Sequence, residues 1–353
     1  MRLLVLGGTR FVGRAVAEEA LARGWQVTVF HRGPGNEPRG TVPVHGDRLA
    51  AGGLGNLVEH GEWDAVVDTW AGPPWAVREA ARLLAGRVGS YVYVSSRFVY
   101  AWPRRAEGPA LVDGCAGEGE VDYPRAKRGG EMAAVESFGE RAVLVRAGLI
   151  LGPREDVGRL PWWLARMDRG GVVLAPGPPE TPLRYIDARD LARWILGAVE
   201  SGTGGAHDLM CDAGHATVGE LLAACVQATG SGARLCWLPP EQVLAAGIEP
   251  WSELPVWLPP GDMHDFMYGA SVVDRIPADL RCRPLAETVL DTWSWLQAQS
   301  GRPPERCDGL PVGLDPAVGL DPAKEAACLR AAFCAGAAHR PVARRGTVAE
   351  GPP

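Results

Sequence analysis

Arg2-Leu3-Leu4-Val5-Leu6-Gly7-Gly8-Thr9-Arg10-Phe11-Val12-Gly13 is the stretch on which the fold turns. The apolar run 3–6 is too short for a helix and suits a strand buried on both faces of a parallel sheet. A glycine turn follows, then apolar residues at helical spacing: Phe11, Val12, Ala15, Val16, Ala20 and Leu21. Strand, glycine turn and helix in that order open a dinucleotide-binding domain. Glycines let the backbone approach a pyrophosphate, and the free N–H groups at the helix start turn partial positive charge toward it. The candidate cradle is Gly7, Gly8, Thr9, Arg10, Phe11, Val12 and Gly13. Its spacing departs from G-x-G-x-x-G, because Arg10 stands where a glycine is expected three residues before Gly13. A strand–turn–helix without any ligand satisfies the same local pattern, so the turn by itself leaves both readings open.

Working outward, strands are expected over 25–30, 42–44, 65–68, 90–94 and 141–146, with helices over 75–84 and 122–138 between the later ones. This alternation predicts an α/β fold: a Rossmann-type doubly wound parallel sheet, with a smaller mixed C-terminal substrate lobe. Residues 1–147 form the expected dinucleotide-binding domain, with a return of later segments to its sheet left open. Residues 148–298 form the expected lobe, with a strand over 183–187 and helices over 188–199, 218–229, 240–247 and 285–296. Residues 299–353 read as an extension, with a helix over 322–333 and a Gly/Ala/Pro/Arg-rich disordered tail after 335. VGLDPA occurs twice, at 312–317 and 318–323, as a local duplication.

With 353 residues, 46% hydrophobic and 22% charged, the chain has the composition of a soluble globular enzyme. Its formal net charge of -6 argues against a nucleic-acid partner. Lys127 and Lys324 are the only lysines, so either one at a chemically meaningful place is informative. The eight cysteines show no C-x-x-C or other paired spacing and read as free thiols of a cytoplasmic protein, with no metal expected. No apolar run is long enough to span a membrane.

The chemistry is concentrated at Tyr123-Pro124-Arg125-Ala126-Lys127. Asp122 can cap this helix, Pro124 suits its first turn, and Tyr123 and Lys127 share one face. A phenol with an ordinary pKa of about 10 is a poor acid–base group at neutrality. A lysine ammonium beside it would lower that value. Ser95 and Ser96 close the strand over 90–94, so both stand at the C-terminal, ligand-binding edge of the sheet. A hydroxyl there can hold a substrate oxygen while Tyr123 moves its proton and a nicotinamide moves a hydride.

Taken together, GGTRFVG (7–13), SSRFVY (95–100), YPRAK (123–127), LRYIDARDLARW (183–194) and RPLAETVLDTW (283–293) resemble one family. It is the extended short-chain dehydrogenase/reductase group, or NAD-dependent epimerase/dehydratase family. More narrowly, the motifs resemble its atypical GGxxxxG subgroup, whose members are labelled isoflavone-reductase-like, epimerase/dehydratase-like or RNA-binding. The resemblance covers about residues 1–298. It implies Ser96 as the catalytic hydroxyl, Tyr123 as the acid/base, Lys127 as its partner and ribose ligand, and Asp47 as the ligand of the adenine amine. It also implies a homodimer through helices flanking the sheet.

Charge bears on the cofactor. At the end of the second strand an acidic residue would bind the ribose diol of NAD, but His31 and Arg32 stand there. Arg32 and Arg10 together would bind a 2′-phosphate, which favours NADP over NAD; a merely solvated Arg32 is the other reading. Sugar-nucleotide enzymes of the family carry an asparagine where Leu149 stands and an arginine where Leu183 stands, with Arg184 one residue displaced. They also carry an arginine before a late G-D that is absent from 259–262. These departures favour reduction of a carbonyl or activated double bond of a small apolar metabolite over epimerisation or dehydration of a nucleotide sugar with retained NAD. A non-catalytic RNA-binding member is a third reading, for which Arg97, Arg104 and Arg105 give only a small cluster, read as a solvated loop or a contact with an acidic substrate group. Trp162, Trp163, Trp251 and Trp257 either line an apolar pocket or belong to the lobe's core.

Overall fold

In the computed structural model the described residues are 1–33, 37–101, 111–114, 121–269, 276–299 and 318–338. The opening stretch forms β1 (Arg2–Leu6) and α1 (Phe11–Ala22). Then come β2 (Gln26–His31), β3 (Val42–His45), α2 (Gly55–Glu59), β4 (Trp63–Asp68), α3 (Pro74–Leu84), β5 (Val88–Ser96), α4 (Tyr123–Phe138) and β6 (Ala142–Ala147). Past β6 lie β7 (Leu149–Leu151), α5 (Arg159–Asp168), β8 (Val172–Pro176), β9 (Pro182–Leu183), β10 (Tyr185–Asp187), α6 (Ala188–Ser201) and β11 (Gly205–Leu209). The remainder is β12 (Ala216–Thr217), α7 (Val218–Thr229), β13 (Arg234–Leu238), α8 (Pro240–Ala245), α9 (Asp262–Tyr268), α10 (Leu285–Ala298) and α11 (Pro322–Ala338).

The central sheet is seven parallel strands in the order β11-β6-β5-β4-β1-β2-β3. The unbroken apolar run of β1 is explained by burial on both faces. Leu3 and Val5 pack with α1 and α6, whereas Leu4 and Leu6 pack with α3 and α4. Because β1 lies between β2 and β4, the chain order reverses there, and a crevice opens at the C-terminal ends of β1 and β4. The glycine turn sits in that crevice. Gly7 has φ +96°, and a Cβ on Gly13 would run into the Gly7 carbonyl oxygen, so α1 starts directly against the turn.

After β6 the chain leaves the sheet and then returns, since β11 pairs with β6 and α6 packs beside α1. The span 188–209 therefore belongs to the sheet unit, although it lies within the 148–298 stretch expected as lobe. The expected strand over 183–187 is split: β9 pairs with β12 and β10 pairs with β7. The lobe has its own core, which includes Leu160, Trp163, Leu222, Trp257, Phe266 and Val289. Cys328 and Leu329 of α11 enter this core, and Glu325 accepts a 2.7 Å bond from Arg166, so the extension is in part a lobe element. α11 runs on to Ala338, into the stretch expected as tail from 335; the rest of that tail and the first VGLDPA copy lie outside the described residues.

Candidate active site

Strand alternation separates the two serines that end β5. Ser95 donates to Glu131 Oε1 at 2.8 Å on the buried side. Ser96 lines a cavity together with Tyr123, and its Oγ accepts the Phe98 N–H at 3.2 Å. Asp122 accepts the Arg125 N–H at 2.9 Å and so caps α4, fixing Tyr123 at its first position. One turn on, Lys127 is buried, its Nζ donating to the carbonyls of Trp70 and Val94 at 2.7 Å each. That Nζ lies 5.9 Å from the centre of the Tyr123 ring. The structure thus brings Ser96, Tyr123 and Lys127 to one place.

The electrostatics differ from the expectation. Burial holds the Tyr123 phenol above its usual range, while the nearby Ser96 hydroxyl and then the Arg159 guanidinium pull it back. Burial also pushes the Lys127 ammonium down to about 7, against an upward pull from Asp68. Lys127 is therefore not the cation that lowers the Tyr123 value. Its amine is desolvated and committed to two carbonyls, and near neutrality much of its charge is gone. Arg159 is the cation that acts, and no spacing in the sequence marks it.

The cavity has a volume of about 180 Å³ and lies between the C-terminal edge of the sheet and the lobe. Phe11, Ala71, Ser96, Phe98, Tyr123 and Ala147 face it from the sheet side, and Leu149, Ile150, Val157, Arg159, Trp251 and Met267 from the other. Of the four tryptophans in question, Trp163 and Trp257 are core, Trp162 packs against the core, and Trp251 lines the cavity. Arg159 begins α5, whose N-cap Gly158 has no side chain to offer. The cap comes instead from Glu155, fully buried, which accepts the N–H groups of Arg159 at 2.7 Å and Leu160 at 3.1 Å.

Burial pushes the Glu155 carboxyl up to about 7. A raised carboxylate value means that between its ordinary 4.5 and about 7 the folded protein keeps a proton that the unfolded chain loses. Stability contributed by this group is full below 4.5, falls through that window and is lowest above 7. The expected difference across the window is about 3 kcal/mol. Urea unfolding from pH 4.5 to 8 should show this decline in the wild type, and Glu155→Gln should flatten it; parallel pH curves would refute the assignment.

The cofactor candidates follow the C-terminal ends of β1, β2 and β3. Arg10 is the N-cap of α1 and makes no side-chain capping bond, so it does not shield the first N–H groups of that helix. Arg10 and Arg32 are exposed, and neither has a side-chain partner among the described residues. Asp47 is half-buried and accepts the Leu49 N–H at 3.0 Å. Arg97, expected on a solvated loop, is instead 2% exposed and donates to the Phe266 carbonyl at 2.9 Å, tying the end of β5 to the lobe. Arg184 likewise is buried and donates to the carbonyls of Cys211 and Gly269. Arg104 and Arg105 lie outside the described residues.

A further buried pair borders the site and was not legible from spacing. Arg48 makes a two-pronged bond to Asp68 at 2.7 and 2.9 Å and stacks 4.7 Å from the centre of the Trp70 ring. Among the described residues, no group of three or more His, Cys, Asp or Glu could hold a metal ion, and no helix is long and apolar enough to cross a membrane.

Residues 3–211 match the sequence profile of the NAD dependent epimerase/dehydratase family. No match was found among curated proteins. Solved structures with the same fold include UDP-glucose 4-epimerase of Thermotoga maritima with UDP-glucose, at 20% identity, TM-score 0.59, and coverage of 85% of this chain and 100% of that one. The Bordetella bronchiseptica enzyme WbmH in complex with NAD+ is similar at 20% identity and TM-score 0.58, covering 84% and 98%. UDP-N-acetylglucosamine 4-epimerase of Bacillus cereus is similar at 15% identity and TM-score 0.57, covering 83% and 98%. At these identities the likeness is one of fold.

Proposed function

The chain belongs to the NAD dependent epimerase/dehydratase family, and from that premise we propose that it is an NADP(H)-dependent oxidoreductase. Its proposed substrate is a small, largely apolar metabolite with a carbonyl or activated double bond. The observation that carries this reading is that Ser96 and Tyr123 line one mostly apolar cavity, with buried Lys127 one helical turn behind. A bound nicotinamide dinucleotide supplies the hydride. The Ser96 hydroxyl holds the substrate oxygen, and Tyr123 delivers the proton that this oxygen takes up. With the cofactor bound, Lys127 would leave its carbonyls to hold the ribose and, charged there, would steady the phenolate left on Tyr123. The glycine turn fits the pyrophosphate, since exposed Gly7 leaves bare backbone in front of the uncapped start of α1 and Gly8 lets the turn close against Val29.

The preference for NADP rests on Arg10 and Arg32, which supply charge beside β2 where NAD enzymes carry a carboxylate. Replacing both by alanine should weaken NADPH binding by about tenfold or more while NADH binding changes far less, as hydrogen bonds to charged groups contribute about 1.5–3 kcal/mol. Fluorescence titration measures both constants, and equal losses would assign the arginines another role. Asp47 is the proposed adenine ligand. Met132 and Val135, exposed on α4, suit a homodimer through that helix.

A second reading is favoured by family membership itself: interconversion of a nucleotide sugar with a retained cofactor. Leu149 and Leu183, and the commitment of Arg184 to two carbonyls, leave that substrate without its usual diphosphate ligands. The test is direct. Consumption of added NADPH by simple ketones supports the reductase. NAD+ bound to freshly purified protein, with turnover of a UDP-sugar and no added cofactor, supports the second reading.

A further inference from the structure

Lys324 is one of the two lysines in the chain, and the site accounts only for the other. Its Nζ donates to the Gly247 carbonyl at 2.6 Å and to Glu253 Oε2 at 2.5 Å. Glu253 Oε2 also accepts the Glu249 N–H at 2.7 Å, so one ammonium ties together the two ends of the loop 247–253. Five residues before Lys324, the Gly319 N–H donates to the Ser252 carbonyl at 2.7 Å. Gly319 has φ +116°, and a Cβ there would collide with Trp162 Nε1, so glycine is what permits this approach. The segment is itself fixed to the lobe. Leu320, Cys328 and Leu329 enter its core, and the buried Glu325 accepts bonds from Arg166 at 2.7 Å and from the Leu174 N–H at 3.0 Å. Between the tied ends of the loop stands Trp251, the tryptophan of the cavity wall. It holds a left-handed backbone at φ +68°, as Val256 does at +72°. Such a conformation is unfavourable for a side chain of either kind and persists where neighbouring contacts over-determine it. Within the loop the Trp251 N–H donates to the Trp257 carbonyl at 3.0 Å, and Gly319 and Lys324 add three contacts from outside, at Gly247, Ser252 and Glu253.

We propose that the segment 318–329 is a clasp that sets the lobe-side wall of the cavity, with Gly319 and Lys324 as positioning residues that act through Trp251 on which substrate is accepted. The clasp lies beyond residues 1–298, over which the motifs resemble the family, and its effect on substrate choice rests on the oxidoreductase reading of the cavity. With the clasp in place, the Trp251 ring, stacked 4.8 Å from the Arg159 guanidinium, bounds a cavity of about 180 Å³ that admits short apolar ketones and rejects long ones. Without it, the loop relaxes out of the left-handed conformation at Trp251 and the wall opens.

The experiment compares the purified full-length protein with Lys324→Met, which keeps an unbranched stem and deletes the ammonium. Hydrogen exchange read by mass spectrometry should speed up over 247–257 by about fivefold, the equivalent of losing a partly exposed ion pair, while β1, β4 and β5 keep their protection. Among straight-chain methyl ketones of increasing length, reduced with NADPH, the wild type should prefer the short ones. Lys324→Met should lose about tenfold of that preference, through KM and not kcat, with NADPH affinity unchanged. Gly319→Ala should act in the same direction, and Lys324→Arg should restore both readouts. In a Trp251→Ala background, Lys324→Met should alter the preference no further. Calorimetric binding of the same ketones with NADP+ present gives their order without turnover. Unchanged exchange over 247–257 in Lys324→Met would overturn the clasp, as would exchange that rises equally in the sheet strands. A length preference that survives the substitution while ketones are reduced would also overturn it and leave the oxidoreductase reading in place. A binding preference lost in Lys324→Met, with no ketone reduced, would support the clasp and refute the oxidoreductase reading. Neither binding nor reduction of any ketone would overturn both.

Discussion

Tyr123→Phe should lower kcat with the best ketone by about a hundredfold to ten-thousandfold, the range for loss of a positioned general acid, while NADPH still binds. The substitution removes one oxygen and keeps the ring, so the edge-on contact with Phe98 at 6.1 Å between centres survives and α4 keeps its Asp122 cap. What disappears is the cavity-lining hydroxyl beside Ser96, the group proposed to protonate the substrate oxygen. The pH profile gives a second handle. Lys127 loses its charge as pH rises through about 7 in the free protein, so kcat/KM of the wild type should fall on that alkaline side. Stopped-flow reduction and a fluorescence titration of NADPH separate the two effects. Full activity in Tyr123→Phe would remove Tyr123 from the mechanism; loss of NADPH binding in step with kcat would make it a cofactor ligand.

The sheet was legible because its evidence is local and repeated. A four-residue apolar run such as 3–6 needs burial on two faces, and the same need shapes 65–68 and 90–94, so a parallel sheet follows from composition of the strands alone. Where a segment is supported by long-range contacts the pattern fades. β11 reads Gly-Ala-His-Asp-Leu, an edge strand with β6 as its one neighbour in the sheet, and nothing apolar announces it. α5 was hidden by Pro161, a helix breaker in mid-helix but tolerated here within the first turn, where its missing N–H costs nothing. The spacing over 322–333 announces a helix but not its place, which is against the lobe, where Leu329 and Cys328 complete the core.

The site divides in the same way. Tyr123 and Lys127 are visible because i and i+4 share a helix face whatever the fold, and Ser96 because it ends a strand. Arg159 is brought to the cavity by the packing of lobe on sheet, and sequence spacing carries no trace of it; of the four candidate tryptophans, the same packing puts Trp251 at the cavity wall. Arg97 shows the converse error: an arginine beside a loop reads as solvated, but a carbonyl more than a hundred residues away claims it.

Asp68→Asn should destabilise the protein by about 3–5 kcal/mol, the cost of leaving one member of a buried ion pair alone. Asp68 is inaccessible, and its carboxylate takes two bonds from Arg48, one from the Tyr91 hydroxyl at 2.6 Å and one from the Trp70 N–H at 2.9 Å. The Arg48 guanidinium holds its carboxyl below the usual carboxylate range against the opposing effect of burial. The stabilisation is therefore complete above the ordinary carboxylate value and is lost as pH falls through the folded one. Asparagine preserves the shape and deletes the charge, stranding Arg48 at 8% exposure. Replacing Arg48 by methionine as well removes the stranded charge, so the double variant should lose much less than the sum of the single losses. The same pair also reaches the active site, because Asp68 raises the Lys127 value and Arg48 lowers it. Asp68→Asn should therefore move the alkaline fall of kcat/KM to lower pH, and the double variant should move it back. Urea midpoints at constant m-value and the pH profile measure the two effects independently. A loss under about 1 kcal/mol would show that Arg48 finds another partner, and an alkaline shift in the opposite direction would uncouple Asp68 from Lys127.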